Sequence, residues 1–241
     1  MAHEYYCFPL SQLLALRALI LKAQFESATD EASKQGIINE LQSLLGESSA
    51  DTGVQLAAAH VFLAAGLKKE ALQCVHAGQT LEHISLTLQL FLQLDRLDLA
   101  QNQLTLLRQA DEDSIVTQLG GVYMALAKGS SVAGDAVHTL NQLSEQYGPS
   151  VFLSNLMACA LMQQGKYAEA ESKLEQSRQE FGANDADTLC NLIVAYQYHS
   201  KPTEALVQQL KATYPDHFLA KGLEMVQGAF ERESLKYQVA A

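Results

Sequence analysis

Long apolar runs are the first thing this sequence lacks. Its most apolar early stretch, residues 13–21, is interrupted by Arg17 and followed by Lys22, short of the roughly 20 consecutive apolar residues that a membrane-spanning helix needs. The opening Met1-Ala2-His3-Glu4 has neither the basic start nor the small-residue cleavage site of a secretory leader. A soluble chain is expected, with any membrane association indirect. Positive charge is scarce as well: 16 Lys plus Arg stand against 27 Asp plus Glu, a formal net charge of −11, and no dense basic run interrupts the acid. That balance argues against a nucleic-acid partner and against direct adhesion to an anionic lipid surface. Cysteine is sparse too. Cys7, Cys74, Cys159 and Cys190 are too few, and too helical in their surroundings, for a disulfide framework, which points to a reducing, cytoplasmic compartment.

What the sequence has instead is a repeated helical hairpin. In residues 155–174, Leu156, Ala160 and Leu161 recur at helical spacing around the small Ala158, Gly165 breaks the pattern, and Tyr167, Ala170 and Leu174 carry a second stripe. Small residues at Ala158 and Ala170 let two helices approach closely, where a larger side chain overpacks at a cost of about 1–3 kcal/mol. Tyr167 is expected to fill the gap left over that contact. A small residue early in a second helix recurs at Ala71, Ala100, Ala136, Ala170 and Ala205, spaced by 29, 36, 34 and 35 residues, against a tetratricopeptide period of about 34. The predicted fold is all-α, a tetratricopeptide-like α-solenoid of antiparallel helix pairs. It forms one domain over residues 11–241, with residues 1–10 unassigned and a C-terminal helix over about 217–237 capping the stack.

The remaining helices follow from period and punctuation. Ser11 is placed as the cap of a helix over residues 12–26, and the stripe from Ile37 to Leu45 ends at Gly46. Further hairpins are predicted from 54–65 with 69–75, 81–94 with 97–107, 114–127 with 135–146, and 188–198 with 204–212. The loop 128–134 is an insertion, and Asp111-Glu112-Asp113 reads as a capping cluster.

Chemistry-bearing patterns are weak. Cys74, His76 and His83 come nearest to a metal set but lack a fourth ligand at useful spacing, so a buried thiol with surface or cap histidines is the expected arrangement. Lys128-Gly129-Ser130-Ser131 lacks the full phosphate-loop pattern and a preceding strand. Gly120-Gly121 reads as close helix packing. Nothing in the spacing brings Cys159 to His138 or His199 as nucleophile and base. No catalytic residue, metal or cofactor is assigned.

In such a repeat the working surface is the concave face built by the first helix of each hairpin. Counting round those helices, Leu56, His60, Ser85, Gln89, Leu92, Thr117, Met124, Phe152, Asn155, Cys159, Met162, Asp187, Val194 and Tyr198 are expected to face inward, with several of the leucines shared with the core. No Lys or Arg is among them, which disfavours a groove that clamps an acidic peptide end. An apolar, amide-lined groove suits a folded or hydrophobic partner segment. A generic adaptor that binds a linear peptide is the alternative, and an enzyme would need convergent titratable groups.

Specific strings then carry a resemblance. Val75-His76-Ala77-Gly78-Gln79-Thr80-Leu81-Glu82, Leu94-Asp95-Arg96-Leu97-Asp98-Leu99-Ala100 and residues 111–119 resemble the coatomer epsilon-subunit family, as do residues 164–171, 188–194 and His217-Phe218. The likeness is collinear from about Ser11 to the C terminus. It implies a non-catalytic coat subunit that binds and stabilises the C-terminal domain of the coatomer alpha subunit within the heteromeric complex. It also implies a cytoplasmic chain, peripheral on Golgi membranes and vesicles in retrograde and intra-Golgi transport. The family begins with further helical hairpins that Met1 to Pro9 do not match, so the sequence is read as an incomplete or alternative product.

Overall fold

Four turns of one chemistry set the pattern of this fold. At Gly66, Asp95, Gly165 and Ser200 the backbone enters the left-handed region, with φ of 78°, 56°, 76° and 54°. One residue later in each case an N–H reaches back across the turn: Leu67 to Phe62 O at 2.7 Å, and Arg96 to Phe91 O, Lys166 to Leu161 O and Lys201 to Tyr196 O at 2.9 Å. This bond satisfies a carbonyl that a helix end leaves orphaned, and it requires positive φ at the residue before it. Each turn therefore stops one helix and starts its antiparallel partner.

The computed structural model describes residues 10–48, 50–78, 80–182 and 184–237. Among them lie thirteen α-helices, one 3-10 turn and no strand. The unassigned residues 1–9 fall outside the described residues. Ser11, expected as a cap, lies inside a helix that starts at Leu10. Contacts divide the chain into two compact units, residues 1–127 and 128–241.

The first unit holds α1 (Leu10–Ser27), α2 (Glu31–Glu47), α3 (Thr52–Ala64), α4 (Lys68–Val75), α5 (Leu81–Gln93), α6 (Leu97–Ala110) and α7 (Ile115–Lys128). Side-chain caps open α2, α3 and α5: Asp30 accepts from Ser33 N at 2.7 Å, Asp51 from Val54 N at 3.0 Å and Thr80 from His83 N at 3.5 Å. Asp111 accepts from the backbone N–H groups of Asp113 and Ser114, both at 3.1 Å, so the acidic cluster does prepare the entry to α7. One core gathers Ala18, Leu21, Phe25, Leu41, Leu44, Ala58, Phe62 and Val75, and a second joins Ile84, Leu88, Leu104, Leu107 and Met124. Gly120 sits where a Cβ would come within 3.2 Å of Leu107 and 3.5 Å of Leu88, the close helix approach that its sequence position suggested.

The second unit holds α8 (Ala133–Tyr147), α9 (Val151–Gln163), α10 (Tyr167–Phe181), α11 (Ala186–Tyr198), α12 (Glu204–Thr213) and α13 (Phe218–Ser234), followed by the 3-10 turn Leu235–Tyr237. Ser150 caps α9 through Leu153 N at 3.2 Å and Asp185 caps α11 through Thr188 N at 3.1 Å. The small residues that mark the repeat are buried at Ala71, Ala100, Ala136 and Ala170, each at 0–1% exposure. Ala205 breaks the rule. It is exposed, and Leu206 turns inward instead. The difference lies in where the second helix begins: α4, α6 and α10 start two residues after their left-handed residue, whereas α12 starts four after Ser200. The later start rotates the buried stripe.

Candidate functional site

The first helices of the hairpins are α3, α5, α7, α9 and α11, and their expected inward residues divide by burial. In the first unit, His60 is exposed, while Leu56, Ser85, Gln89 and Leu92 are half-buried. Thr117 and Met124 are core residues rather than surface, at 3% and 2% exposure. The Thr117 hydroxyl reaches Leu107 O at 3.4 Å in the last turn of α6, and Thr87 does the same service for Val75 O at 3.3 Å at the end of α4. These buried hydroxyls satisfy carbonyls that a helix end leaves without a partner, which fixes them inside.

In the second unit, Phe152, Asp187, Val194 and Tyr198 are exposed, and Cys159 and Met162 are half-buried. Asn155 is buried and fully engaged. Its amide donates to Thr188 Oγ1 at 2.8 Å and to Val151 O at 3.1 Å, and its carbonyl accepts from Asn191 Nδ2 at 2.9 Å. Thr188 passes the chain on to Asp185 at 2.7 Å, and the Cys159 thiol faces Asn191 Oδ1 at 3.6 Å. This ladder ties α9 to α11 one repeat apart, and Asn155 and Cys159 spend on a neighbouring helix the hydrogen bonds expected for a partner. A substitution such as Asn155→Arg would break the interior rather than the groove. The side chains left to meet a partner here are chiefly apolar: Phe152 in the first turn of α9, and Val194 and Tyr198 in the last turns of α11.

Tyr167 does not simply fill a gap over Ala158 and Ala170. Its ring stacks on that of Tyr198 in the next hairpin, with centroids 3.6 Å apart and planes at 12°. Around the turn beside them, Glu171 accepts from His199 Nδ1 at 2.8 Å and from Lys201 Nζ, and Tyr196 donates to Glu175 at 2.6 Å. The hydrogen bond from Lys201, ahead of that from His199, holds the Glu171 carboxyl below the usual glutamate range. The bond to Glu175 pushes the Tyr196 phenol up to about 12.

Two histidines have roles that the spacing did not reveal. His83, expected at the surface or in a cap, is fully buried at 0% exposure. Its ring bridges Thr80 Oγ1 at 2.9 Å and Gln55 Oε1 at 3.2 Å, linking α5 to α3, and desolvation lowers its pKa. His76 is exposed and its Nδ1 lies 2.7 Å from Gln73 O, while Cys74 packs against the first core. His217 opens α13, with Nδ1 at 3.3 Å from the buried Cys190 Sγ and Nε2 at 3.8 Å from Asp187. The grouping of thiol, imidazole and carboxylate resembles a nucleophile with its base. Burial, with Asp187 and Asp185 adding to it, pushes the Cys190 thiol up to about 11, so it is protonated at neutral pH and serves as a hydrogen-bonding tether for α13. Cys159 meets an asparagine, not a histidine, and burial raises its pKa as well.

Hairpins of this length, joined by these turns and capped in this way, define a tetratricopeptide-type helical repeat protein. A solved structure of a tetratricopeptide repeat protein from Parabacteroides merdae is similar with a TM-score of 0.73, at 16% identity over 90% of this chain and 84% of that one. A likeness at that identity is one of fold. The model of the Coatomer epsilon subunit family matches residues 9–238, and the chain belongs to that family. Among its relatives, coatomer subunit epsilon-1 of Oryza sativa subsp. japonica is 32% identical over 224 residues, which is 92% of this chain and 76% of that one. Coatomer subunit epsilon-2 of Arabidopsis thaliana is 31% identical over 219 residues, 90% of this chain and 74% of the relative. No described helix is long and apolar enough to cross a membrane.

Proposed function

We propose that this chain is a non-catalytic scaffold subunit of the coatomer coat that binds and stabilises the alpha subunit through that subunit's C-terminal domain. In this reading it works in the cytoplasm, peripheral to Golgi membranes, in retrograde transport to the endoplasmic reticulum and within the Golgi. The observation that carries the reading is the family match, which runs over residues 9–238. Two features of the site support it. The exposed first-helix residues of the second unit, Phe152, Val194 and Tyr198, are apolar or aromatic, which suits a folded partner. The Asn155 amide, which a linear-peptide adaptor would use on a peptide backbone, is already bonded to Thr188 and Asn191.

The test is co-purification with the C-terminal domain of a coatomer alpha subunit on a sizing column, beside the chain alone. A stable one-to-one complex is expected, weakened by Phe152→Asp with Val194→Asp. A chain that is helical and monodisperse, forms no complex, and yet holds short linear peptides would replace this reading with the adaptor.

A further inference from the structure

In the first unit a cavity of about 290 Å³ is walled by α2, α3 and α4, a volume at the lower end of the range for small-ligand sites. Each outer helix brings one face to it. Gln42 and Leu45 stand three apart on α2, and Glu70, Gln73 and Cys74 stand at i, i+3 and i+4 on α4. Gln55 and Phe62 of α3 form the buried part of the wall, at 9% and 2% exposure. The Gln55 amide is held in place, its Oε1 3.2 Å from His83 Nε2, so this wall is set before any ligand arrives.

One formal charge lines the cavity, and it is negative: the half-buried carboxylate of Glu70. Among the described residues Glu70 has no ion pair. Lys68, two residues earlier, gives its ammonium to Gln93 O at 3.2 Å instead. Leu45, Gln73 and Cys74 lie in the last turns of α2 and α4, helix ends that carry partial negative charge, and neither last turn holds a basic residue to offset it. The Cys74 thiol registers these surroundings. Burial first, and then Glu70, pushes it up to about 11, so at neutral pH it is an uncharged wall beside Leu45 and Phe62. Gln42 and Gln73 are exposed and bring amide carbonyls to the rim.

We propose that this cavity binds a primary alkylammonium ion, its head on Glu70 and the rim carbonyls of Gln42 and Gln73, its methylene stem along Leu45, Phe62 and Cys74. The head is an ammonium for a geometric reason. Its three N–H bonds diverge toward a carboxylate and two carbonyls carried by different helices, whereas a guanidinium takes a carboxylate through parallel bonds in one plane. The stem is aliphatic because the wall below the rim is apolar, and a methylene chain covers such a surface while its charge stays at the polar edge. An anion would meet Glu70 with no cation to receive it, and a neutral alcohol would leave that carboxylate uncompensated. The chain's net charge of −11 acts in the same direction. Free amines and lysine side chains share this chemistry.

The experiment uses the whole chain alone, so it does not depend on the alpha-subunit reading. Amide shifts of the isotope-labelled chain are followed by NMR at neutral pH and constant ionic strength, in titrations with n-butylamine hydrochloride, n-butanol and sodium butyrate. Butylammonium is expected to shift Gln55, Gln73 and Cys74 saturably, with the roughly millimolar Kd that so small a ligand reaches. Butanol and butyrate should bind at least about tenfold more weakly. Glu70→Gln should bring butylammonium down to the level of butanol. Gln73→Lys, at an exposed position, should fill the site with its own ammonium and abolish binding, and it is the deciding variant if Glu70→Gln loses wild-type helicity. N-acetyl-lysine N-methylamide carries the same head on a peptide unit: binding as tight as that of butylammonium supports a protein's lysine side chain as the occupant, and binding of butylammonium alone supports a free amine. No saturable shift with either amine, equal affinity for the alcohol, or binding undiminished in both variants overturns the proposal.

Discussion

Tyr167 at the start of α10 and Tyr198 at the end of α11 lie ring on ring, 3.6 Å between centroids, so one hairpin is fastened to the next by an aromatic pair beside their turns. Tyr198 is 62% exposed, which leaves its other face for a partner. Stacked pairs contribute about 0.5–1.5 kcal/mol beyond the area they bury. Tyr198→Phe is expected to keep thermal stability and partner binding close to wild type. Tyr198→Ala should lower stability by about that amount and, if the chain works as proposed, weaken the proposed alpha-subunit complex as well. A Tyr198→Ala variant as stable as wild type in urea would show that the stack holds nothing.

The hairpin turns offer a stability test of opposite signs. Ser200 takes a left-handed conformation that glycine adopts without steric cost. Ser200→Gly should therefore stabilise the second unit by about 0.5–1 kcal/mol, and Gly165→Ala should destabilise it by about 1 kcal/mol. Urea midpoints of the two variants should fall on either side of the wild type. Midpoints shifted in the same direction would contradict the turn assignment.

Adjacent glycines in α7 should answer differently to alanine. At Gly121 the nearest neighbour a Cβ would meet is Arg108 Nη2 at 3.9 Å, so Gly121→Ala gains helix propensity of about 0.8–1 kcal/mol without a clash. At Gly120 the same methyl presses on Leu107 at 3.2 Å, and the gain is reduced or reversed. Thermal melts of the two single variants, which differ by one position, measure the packing term directly.

Acid should act on His83 before it acts on Glu171. Both groups have folded pKa values below their ordinary ones, 6.5 for the imidazole and 4.5 for the carboxyl. A depressed group contributes stability that is complete above its unfolded pKa and is lost as the pH falls through its folded pKa. The His83 contribution is therefore whole above pH 6.5 and declines below it, and that of Glu171 declines only below 4.5. Melting temperatures between pH 7 and 5 should slope less for His83→Gln than for the unmodified chain. Equal slopes would mean that the buried ring bears no part of the acid sensitivity.

Much of this was legible because it is local. Asp111 prepares the entry to α7 through bonds to N–H groups two and three residues on, and Gly165 punctuates its turn by its own backbone freedom, whereas Ser11 lies inside α1 instead of capping it. The buried alanines at 71, 100, 136 and 170 announce a repeat because a close helix crossing admits nothing larger. The strings around Asp95 and Asp111 were specific enough to reach the family that the match over residues 9–238 established.

The residues that sequence placed wrongly are those whose surroundings come from another hairpin. Thr117 and Asn155 sit at the spacing of a groove residue, and only the carbonyl of Leu107 and the side chains of Thr188 and Asn191 make them interior. His83 is buried because Gln55 waits 28 residues earlier. Helical period reports which side of a helix is apolar, but not which neighbour, if any, arrives to cover it. The apolar stripe of α13 was as plain in the sequence as that of any core helix. That it stands open to solvent was decided by the tertiary structure alone, since burial belongs to pairs of elements and a helix by itself has none.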